Sequence, residues 1–251
     1  MEKITSRKNA MISHIRALAR DADYRYASGE FLCDGAKLLR EAAAFNAEIT
    51  SVLWKDAAPD SFRFPDHVRQ YCAPEELFSY ASPMANSPGP VFTVRIPGRA
   101  SGKHLGNALV LENVQDPGNV GTVIRTANAF GIDAVILVGA CADVYSPKTV
   151  RSTMGAIFRQ TVLRTDPEGL SKILKENSLP LYGAVLSSRA VNILESELSR
   201  AAVAVGSEGN GLTEELIGMC DGEIIIPMEP DSESLNAAVA ASVIMWEMRR
   251  R

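Results

Sequence analysis

From residue 108 onward, the sequence alternates short apolar runs with stretches of helical periodicity. The apolar runs predict strands at Ala108–Leu111, Ala134–Val138, Leu181–Val185, Ala202–Val205 and Glu223–Pro227. The segments between and after them predict helices at Val120–Phe130, Pro167–Glu176, Thr213–Cys220 and Leu235–Arg251. This alternation is typical of a parallel sheet covered on both faces, so we expect an α/β domain that binds its ligand at the carboxyl ends of the strands.

The first hundred residues predict a smaller α/β unit with mixed elements. Helices are expected from Thr5 and Ser6 to about Ala19, at Ala36–Ala47 and at Pro74–Tyr80. A short apolar step at Phe31 and Leu32 precedes the second helix, and strands are expected at Ile49–Trp54, Val68–Cys72 and Val91–Ile96. Two segments rich in proline, glycine, serine and asparagine, 82–90 and 97–106, predict a domain boundary near residue 100, between domains 1–100 and 101–251.

Charge is distributed unevenly between these two parts. The whole chain of 251 residues has a net charge of −4, which argues against a wholly basic nucleic-acid coat protein. Within the first 25 residues, however, cations outnumber anions, and they are candidate RNA phosphate contacts: Lys3, Arg7, Lys8, Arg16, Arg20 and Arg25. The alternative interpretation of this segment is an ordinary solvated helix face.

Cysteine and histidine spacing gives no sign of a metal site or a disulfide framework. The four cysteines, Cys33, Cys72, Cys141 and Cys220, are far apart in the sequence, as are His14, His67 and His104. The N-terminus has no apolar signal segment, and the longest apolar run, 237–246, is too short to cross a bilayer. We therefore expect a soluble cytoplasmic protein with reduced thiols, no metal and no membrane partner.

The first loop that indicates chemistry leaves a predicted strand at Glu112 and enters a helix. Its sequence predicts a turn at residues 116–118, and Asn119 is expected to cap the helix that follows. Arg125 lies on that helix and can reach back toward the strand ends, because helical side chains lean toward the N-terminus. The alternative is that Asn119 is only a cap and Arg125 only a surface cation.

The second loop, 206–212, contains three glycines between an apolar strand and a helix that Thr213 can cap. It lacks the Gly-Lys-Ser/Thr of a P-loop and the Gly-x-Gly-x-x-Gly of a dinucleotide fingerprint. Glu208 within the loop favours a polar or cationic ligand over an anion. Considered alone, this loop is equally consistent with a tight turn.

The third loop follows the last predicted strand. Ile226 and Met228 are expected to form apolar walls at the strand end, and Ser234 and Asn236 to enter or cap an alanine-rich helix. Apolar walls of this kind suit a purine ring. The alternative is a core strand followed by a capped core helix.

Taken in order, the three loops resemble the three motifs of the SpoU (TrmH) family of RNA ribose 2′-O-methyltransferases in the SPOUT superfamily. The matching sequences are Asn-x-x-Asp-Pro-x-Asn-x-Gly-x-x-x-Arg, then Gly-Ser-Glu-Gly-x-Gly-Leu, then Ile-Pro-Met with Ser-Leu-Asn. This resemblance covers residues 105–251. A weaker resemblance relates the N-terminal part to the small substrate-binding domain that precedes the catalytic domain in many members, and it rests on residues 4–9, the stretch ending at Leu32, and 35–42.

The resemblance implies a parallel-sheet domain with a deep trefoil knot, a homodimer with its active sites at the subunit interface, and methyl transfer from S-adenosylmethionine to a ribose 2′-hydroxyl of rRNA or tRNA. The residues at the family's cofactor positions are Gly206, Ile226 and Leu235, with Met228 and Glu208 on the same loops. The candidate catalytic residues are Asn119, Arg125, Ser234 and Asn236.

Two points of this comparison need a physical interpretation. Family proposals make the arginine of the first motif a base, but a guanidinium stays protonated in proteins, so we interpret Arg125 as a phosphate clamp that also stabilises developing alkoxide charge. Pro230 stands where the third motif commonly has glycine, and proline removes a backbone N–H that could serve the cofactor. We still expect S-adenosylmethionine to bind, with its affinity altered.

Two rival functions remain open at the level of sequence. A non-catalytic RNA-binding or ribosome-assembly factor could share the fold, although the intact catalytic positions argue against it. A nucleotide-cofactor oxidoreductase is disfavoured because the first loop lacks its glycine pattern. The sequence does not identify the target RNA or nucleotide, since no stacking motif of a known RNA-binding module is present.

Overall fold

The computed structural model describes residues 1–59, 62–98, 104–229, 231 and 234–250. The chain forms two compact units, each assembled from two segments. Unit 1 comprises Met1–Gly98 and Asp143–Phe158, and unit 2 comprises Arg99–Ala142 and Arg159–Arg251. The first change of unit falls next to the predicted boundary near residue 100, whereas the inclusion of residues 143–158 in unit 1 was not foreseen from the sequence.

Unit 1 is a mixed sheet with helices packed on it. Its strands are β1 (Glu2–Lys3), β2 (Glu30–Asp34), β3 (Ile49–Lys55), β4 (Arg69–Ala73) and β5 (Val91–Arg95). Its helices are α1 (Ala10–Arg20), α2 (Ala22–Ser28), α3 (Ala36–Ala44), α4 (Glu75–Ala81) and α6 (Pro147–Ser152), with a short 3-10 helix at Ala156–Phe158. Among the described residues the strand order is β1-β4-β3-β5-β2, with β5 antiparallel to both of its neighbours.

The helix starts in unit 1 correct one expectation. Thr5 and Ser6 were expected to cap the first helix, but α1 begins at Ala10, and the side chain of Asn9 accepts a hydrogen bond from the Met11 N–H. Asparagine caps as well as serine does, and the apolar face of the helix starts only at Met11, so the later cap prevails. The face of α1 that packs on the sheet is formed by Met11, Ile12, Ile15 and Leu18.

Residues 143–158 are tied into unit 1 by a buried ion pair. Arg25 is 4% exposed and donates from Nε and Nη2 to Oδ2 of Asp143, at 2.8 and 2.5 Å. Its Nη1 donates to the carbonyl of Leu18 at 2.6 Å. Tyr145 packs on Phe31 with ring centroids 4.8 Å apart, and burial raises the pKa of the Tyr145 hydroxyl to about 12. The core of unit 1 therefore depends on a segment that is distant in the chain.

Unit 2 is a parallel sheet, as the alternation of elements predicted. Its strands are β6 (Ala108–Glu112), β7 (Ala134–Val138), β8 (Thr161–Thr165), β9 (Leu181–Ala184), β10 (Val191–Asn192), β11 (Ala202–Val205) and β12 (Gly222–Ile225). Its helices are α5 (Pro117–Phe130), α7 (Pro167–Asn177), α8 (Glu214–Gly218) and α9 (Ala237–Arg250), with a 3-10 helix at Ile193–Glu195. The order of the strands in the described residues is β10-β12-β9-β11-β6-β7-β8.

The five strands predicted in unit 2 are confirmed, and two were missed. β8 is as long as β6 and β7, but its residues are half-buried or exposed, and Thr161, Arg164 and Thr165 interrupt the apolar run that its neighbours have. β10 is a two-residue edge strand. The central strands β6, β7 and β11 are buried throughout, which is why their continuous apolar runs could be recognised in the sequence.

Candidate active site

The three predicted loops lie at one edge of the sheet of unit 2. β11 pairs in parallel with both β6 and β9, and β12 pairs in parallel with β9. The carboxyl ends of these four neighbouring strands therefore point the same way, and the loops that leave β6, β11 and β12 converge. The convergence creates a cavity of about 550 Å³, which is within the range of small-molecule sites.

All five residues expected to contact the cofactor line this cavity: Gly206, Glu208, Ile226, Met228 and Leu235. The rest of the glycine loop, residues 207 and 209–212, lines it as well. Part of the wall comes from the loop after β9, through Val185 and Leu186, which sequence analysis did not single out. Leu186 is 64% exposed, and the available sequence signal was a leucine directly after the predicted strand 181–185.

Gly206 is required by a close approach of two backbone segments. A β-carbon at this position would lie 2.1 Å from the carbonyl carbon and oxygen of Gly211 and 2.4 Å from the amide nitrogen of Leu212. The loop folds back on itself through hydrogen bonds between the backbones of Ser207 and Gly211, at 2.9 and 3.2 Å. Gly211 has φ +66°, which favours glycine. The loop is thus a tight hairpin that exposes backbone groups to the cavity.

Asn119, Glu208 and Asn236 form a hydrogen-bonded chain across the three loops. Asn236 Oδ1 accepts from the Ala238 N–H at 2.9 Å and so caps α9. Its Nδ2 donates to Oδ1 of Asn119 at 3.2 Å, and Nδ2 of Asn119 donates to Oε1 of Glu208. Because each amide oxygen is already an acceptor, the orientation of both amides is determined.

The expected capping role of Asn119 is wrong. Helix α5 begins at Pro117, and the cap is Asp116, whose Oδ1 accepts from the backbone N–H of Asn119 at 3.0 Å. Proline is well suited to the first helical position, since it has no N–H to satisfy there. The helix therefore begins at Pro117, two residues before Asn119. The side chain of Asn119 is consequently free to contact Glu208 and Asn236. The capping of α8 by Thr213 is confirmed, with Oγ1 accepting from the Leu216 N–H at 3.2 Å.

Arg125 and Ser234 occupy different places in this arrangement. Ser234 lines the cavity. Arg125 lies on α5, is exposed, and has no hydrogen-bond or ion-pair partner among the residues that the structure describes. It follows Asn119 by six positions, about 9 Å along the helix axis, and its side chain leans toward the loop end of the helix. The cation is therefore available to an anionic ligand outside the cavity.

Sequence analysis missed a buried carboxylate that joins the first two loops. Glu112, at the end of β6, is 4% exposed. Its two oxygens accept from Thr213, one from the backbone N–H at 2.8 Å and one from Oγ1 at 2.7 Å. A buried charge needs such partners, because desolvation otherwise disfavours it. A lone acidic residue ending an apolar strand was the available signal, and only the fold reveals that Thr213 lies opposite.

The cavity carries no cationic side chain on its described lining.

Cys220 lies beside Gly183 of β9. Burial raises the pKa of its thiol to about 11, and the nearby carboxylates of Asp221, Glu223 and Glu112 contribute to the same shift. The thiol is therefore neutral near pH 7 and is no candidate nucleophile. Within the described ranges there is no cluster of three or more His, Cys, Asp or Glu side chains suited to a metal ion, and no helix long and apolar enough to span a membrane.

The basic residues near the N-terminus differ in exposure and in their partners. Arg25 was expected to contact RNA, but it is buried and all of its nitrogens donate within unit 1, so this expectation is wrong. Arg7 pairs with Glu76 at 2.6 Å, and Arg16 donates to the carbonyl of Tyr80 at 2.5 Å. Lys3, Lys8 and Arg20 are exposed. Lys8 precedes α1 and Arg20 ends it, so the two lie toward opposite ends of a helix about 16 Å long.

The substitution of Pro230 for the family glycine lies outside the described residues. The expectation of altered cofactor affinity at that position stays a prediction.

Comparison with known proteins agrees with this architecture. The model of the "SpoU rRNA Methylase family" matches residues 106–246. The chain is 30% identical to "23S rRNA (guanosine(2553)-2′-O)-methyltransferase RlmP" of Bacillus subtilis, covering 99% of this chain and 100% of that protein. Two solved structures superpose over nearly the whole chain. An AdoMet-bound rRNA methyltransferase from Sinorhizobium meliloti has a TM-score of 0.86 at 26% identity, covering 99% of this chain and 97% of that one. The SpoU methyltransferase AviRb from Streptomyces viridochromogenes has a TM-score of 0.84 at 25% identity, covering 96% and 97%.

Proposed function

The chain belongs to the SpoU rRNA methylase family, and from this premise we propose how its own residues carry out methyl transfer. The protein is an S-adenosylmethionine-dependent RNA methyltransferase that acts on a ribose 2′-hydroxyl of ribosomal or transfer RNA. Our proposal assigns the individual residues, the subunit arrangement and the role of unit 1. The observation that carries it is the hydrogen-bonded chain Asn236–Asn119–Glu208, which ends on a residue of the cavity wall.

The cavity fits S-adenosylmethionine in size and in chemistry. Its volume of about 550 Å³ is sufficient for a nucleoside with an amino-acid side chain. Ile226, Met228 and Leu235 offer apolar walls for the purine, and the backbone around Gly206 offers donors and acceptors for its edge. When bound, S-adenosylmethionine supplies an electrophilic methyl group on a positively charged sulfur. Glu208 is the described carboxylate on the cavity lining, which suits a cationic ligand.

Asn119 and Asn236 hold the ribose. The carbonyl oxygen of each asparagine is occupied, so each amide retains one N–H for an oxygen of the substrate. Glu208 fixes the Asn119 amide in one orientation by accepting from it. Ser234, on the same cavity, adds a hydroxyl that can donate or accept. These groups contribute to catalysis mainly by positioning the 2′-hydroxyl for in-line attack.

Arg125 binds the phosphate next to the methylated ribose. The side chain is exposed and has no carboxylate partner in the described part of the chain. Its planar fork of donors matches the oxygens of a phosphodiester, and its charge also stabilises the alkoxide that develops as the 2′-oxygen attacks. The guanidinium stays protonated throughout, so the 2′-hydroxyl proton leaves late, to water.

A second copy of the chain covers one face of α9. Val239, Val243 and Trp246 recur at helical spacing and are 49%, 38% and 55% exposed. Trp246 packs edge-on against Phe130 of α5, with ring centroids 5.6 Å apart. Asn119 lies in the first turn of α5 and Asn236 directly precedes α9, so this apolar stripe lies on helices that begin at the active site. Burying it in a homodimer would place the catalytic residues at the subunit interface.

Unit 1 binds the RNA substrate. The protein acts in the cytoplasm, and the C-terminal segment of the catalytic unit forms a trefoil knot. The exposed cations Lys3, Lys8 and Arg20 contribute salt-dependent phosphate contacts, with Arg7 and Arg16 nearby. This role is supported by RNA methyltransferases that match 99% of this chain and therefore include a counterpart of unit 1.

Transfer of tritium from methyl-labelled S-adenosylmethionine into RNA tests the function. We expect label in ribosomal or transfer RNA at a nucleotide that resists alkaline cleavage, since a 2′-O-methyl group removes the attacking hydroxyl. An assembly factor without turnover would bind RNA and leave it unlabelled. Mapping 2′-O-methyl sites in total RNA with and without the protein then identifies the nucleotide.

A further inference from the structure

Two phenylalanine rings of unit 1 lie side by side between β3 and β4. The rings of Phe62 and Phe64 are parallel to within 3°, with centroids 6.2 Å apart, and both side chains are half-buried. Beneath them lies Trp54 of β3, whose ring centroid is 5.5 Å from that of Phe62 and 6.3 Å from that of Phe64. The three rings form a small aromatic cluster with two of its members reaching the surface.

The two phenylalanines are not part of the buried core of the unit, although Trp54 is, at 3% exposed. One apolar cluster, formed by α1, α4 and strand residues such as Leu53, contains none of the three rings. On the side of Trp54, the indole N–H donates to Oε1 of Gln70 at 3.4 Å. Aliphatic side chains could cover Trp54 equally well, so the fold does not require two parallel rings there.

Cations accompany the ring pair. The guanidinium of Arg40, on α3, lies 5.8 Å from the centroid of Phe62, within the range of a cation–π contact. Arg63 lies between the two phenylalanines in the sequence, and its side chain is exposed. Neither arginine has an ion pair with a carboxylate among the described residues, whereas other basic side chains of the unit do, such as Arg7 with Glu76, Lys55 with Glu75 and Arg95 with Glu48.

We propose that Phe62 and Phe64, flanked by Arg40 and Arg63, form a stacking platform for an unpaired base of the RNA substrate. The inference rests on the proposed function, because it assumes that unit 1 is the part that binds RNA. Proteins hold single-stranded RNA by stacking bases on aromatic rings and pairing the adjacent phosphates with arginine. A partly exposed, parallel pair of rings, beside two arginines without an ion pair in the described part of the chain, offers both parts of that recognition.

The platform predicts which kind of RNA the enzyme prefers. A base inside a duplex has both faces covered by its neighbours, so only a loop, bulge or strand end can stack on these rings. Loss of one such contact weakens binding by about 5- to 150-fold. The substrate nucleotide is thus expected in, or next to, a single-stranded element.

The test uses the full chain and a short oligoadenylate that cannot form a duplex. Replacing Phe62→Leu and Phe64→Leu together keeps an apolar cover over Trp54 and removes both flat faces. Trp54 and Trp246 are the only tryptophans, so a Trp246→Phe background makes Trp54 the reporter. We expect the oligonucleotide to quench Trp54 emission in that background, and the double variant to bind at least about 5-fold more weakly at unchanged Tm.

Two further variants separate stacking from general effects. Arg40→Gln should weaken binding and reduce its salt dependence, because one phosphate contact is lost. Tyr24→Leu removes another exposed aromatic ring of unit 1, one that packs on His14, and should leave binding unchanged.

The platform is refuted if the double leucine variant binds the oligonucleotide and methylates RNA as the wild type does. Methylation by the wild type is measured in parallel. A wild type that labels no RNA refutes the proposed function, whereas a wild type that labels RNA with the variant unimpaired refutes only the platform. A duplex RNA that competes as well as the oligoadenylate would also overturn the inference.

Discussion

Glu112 and Thr213, 101 positions apart in the chain, are joined by two hydrogen bonds from the same threonine to the same carboxylate, at 2.7 and 2.8 Å. Glu112 ends the strand that leads into the catalytic loop, and Thr213 starts the helix that follows the glycine loop. The pair therefore fixes the loop of Asn119 relative to the loop of Glu208, although neither partner lines the cavity.

Replacement Glu112→Gln should loosen the cofactor site. The amide can accept only one of the two hydrogen bonds, and its NH₂ group faces a donor, so about 1–3 kcal/mol is lost. We expect the Kd for S-adenosylmethionine, measured by calorimetry, to rise about 10-fold and Tm to fall. Glu215→Gln, an exposed acid in the first turn of the same helix, serves as the control. Unchanged affinity in Glu112→Gln would show that the pair stabilises the fold without organising the site.

Replacement Gly206→Ala should abolish cofactor binding. The added methyl group would stand 2.1 Å from backbone atoms of Gly211, and backbone cannot yield as a flexible side chain does, so the hairpin must open. Gly218→Ala, at the end of α8, meets nothing within 4 Å and should bind normally. Calorimetry of both variants checks this, and tight binding by Gly206→Ala would mean that the loop can relax without losing the site.

Replacement Arg125→Ala should slow methyl transfer without affecting cofactor affinity. Removal of one preorganised charge at the reacting oxygen typically costs about 10²-fold in kcat. Arg125→Lys should recover only part of the rate, because an ammonium group is a point charge and cannot bind a phosphate with two parallel hydrogen bonds. Steady-state rates with labelled cofactor provide the measurement. Near wild-type activity of the lysine variant would rule out a role for the planar guanidinium.

Replacement Asp143→Asn should destabilise unit 1 by about 3–5 kcal/mol, since it leaves the Arg25 charge buried without its counter-ion. Glu76→Gln breaks the pair between Arg7 and Glu76, both of whose side chains are more than half exposed, and should cost about 1 kcal/mol or less. Urea unfolding followed by circular dichroism compares the two. Similar losses in both variants would indicate that Arg25 finds another partner.

The carboxylate of Glu30 predicts an acid-sensitive contribution to stability. A hydrogen bond from His14 at 2.8 Å lowers the Glu30 pKa below its ordinary value of 4.5, against the opposing effect of burial. Its stabilisation is therefore complete above pH 4.5 and is lost as the pH falls through the lowered pKa. The difference in unfolding free energy between wild type and Glu30→Gln should shrink as the pH drops below 4.5. A difference that grows toward acid pH would contradict the prediction.

Much of the catalytic unit could be predicted because its determinants are local. Continuous apolar runs such as Ala134–Val138 and Ala202–Val205 are buried on both sides of a parallel sheet, and the structure places them within the predicted bounds. The glycine spacing around Gly206 and the positions of Ile226 and Met228 likewise follow from short motifs, and all three residues line the cavity.

The sequence predictions were wrong where two nearby residues could both cap a helix, or where burial by distant residues determined the role of a side chain. Asn119 and Asp116 can both cap a helix, and Pro117 decided in favour of Asp116. Arg25 carries the same charge as Lys3 or Arg20, and nothing near it in sequence shows that it will be buried against Asp143. β8 was missed because its half-buried residues lack the apolar signal of its neighbours.

By itself, the sequence determined the α/β class, the order of the three loops and the chemical groups that they carry, because propensity, capping and hydrophobic period depend on nearby residues. Only the tertiary structure decided which of those groups meet. The bonds of Glu112 with Thr213, Asn119 with Glu208 and Asn236, and Arg25 with Asp143 each join residues from 89 to 118 positions apart. Such pairs depend on strand order and on which segments share a core, and these are set by the packing of the whole chain rather than by any local pattern.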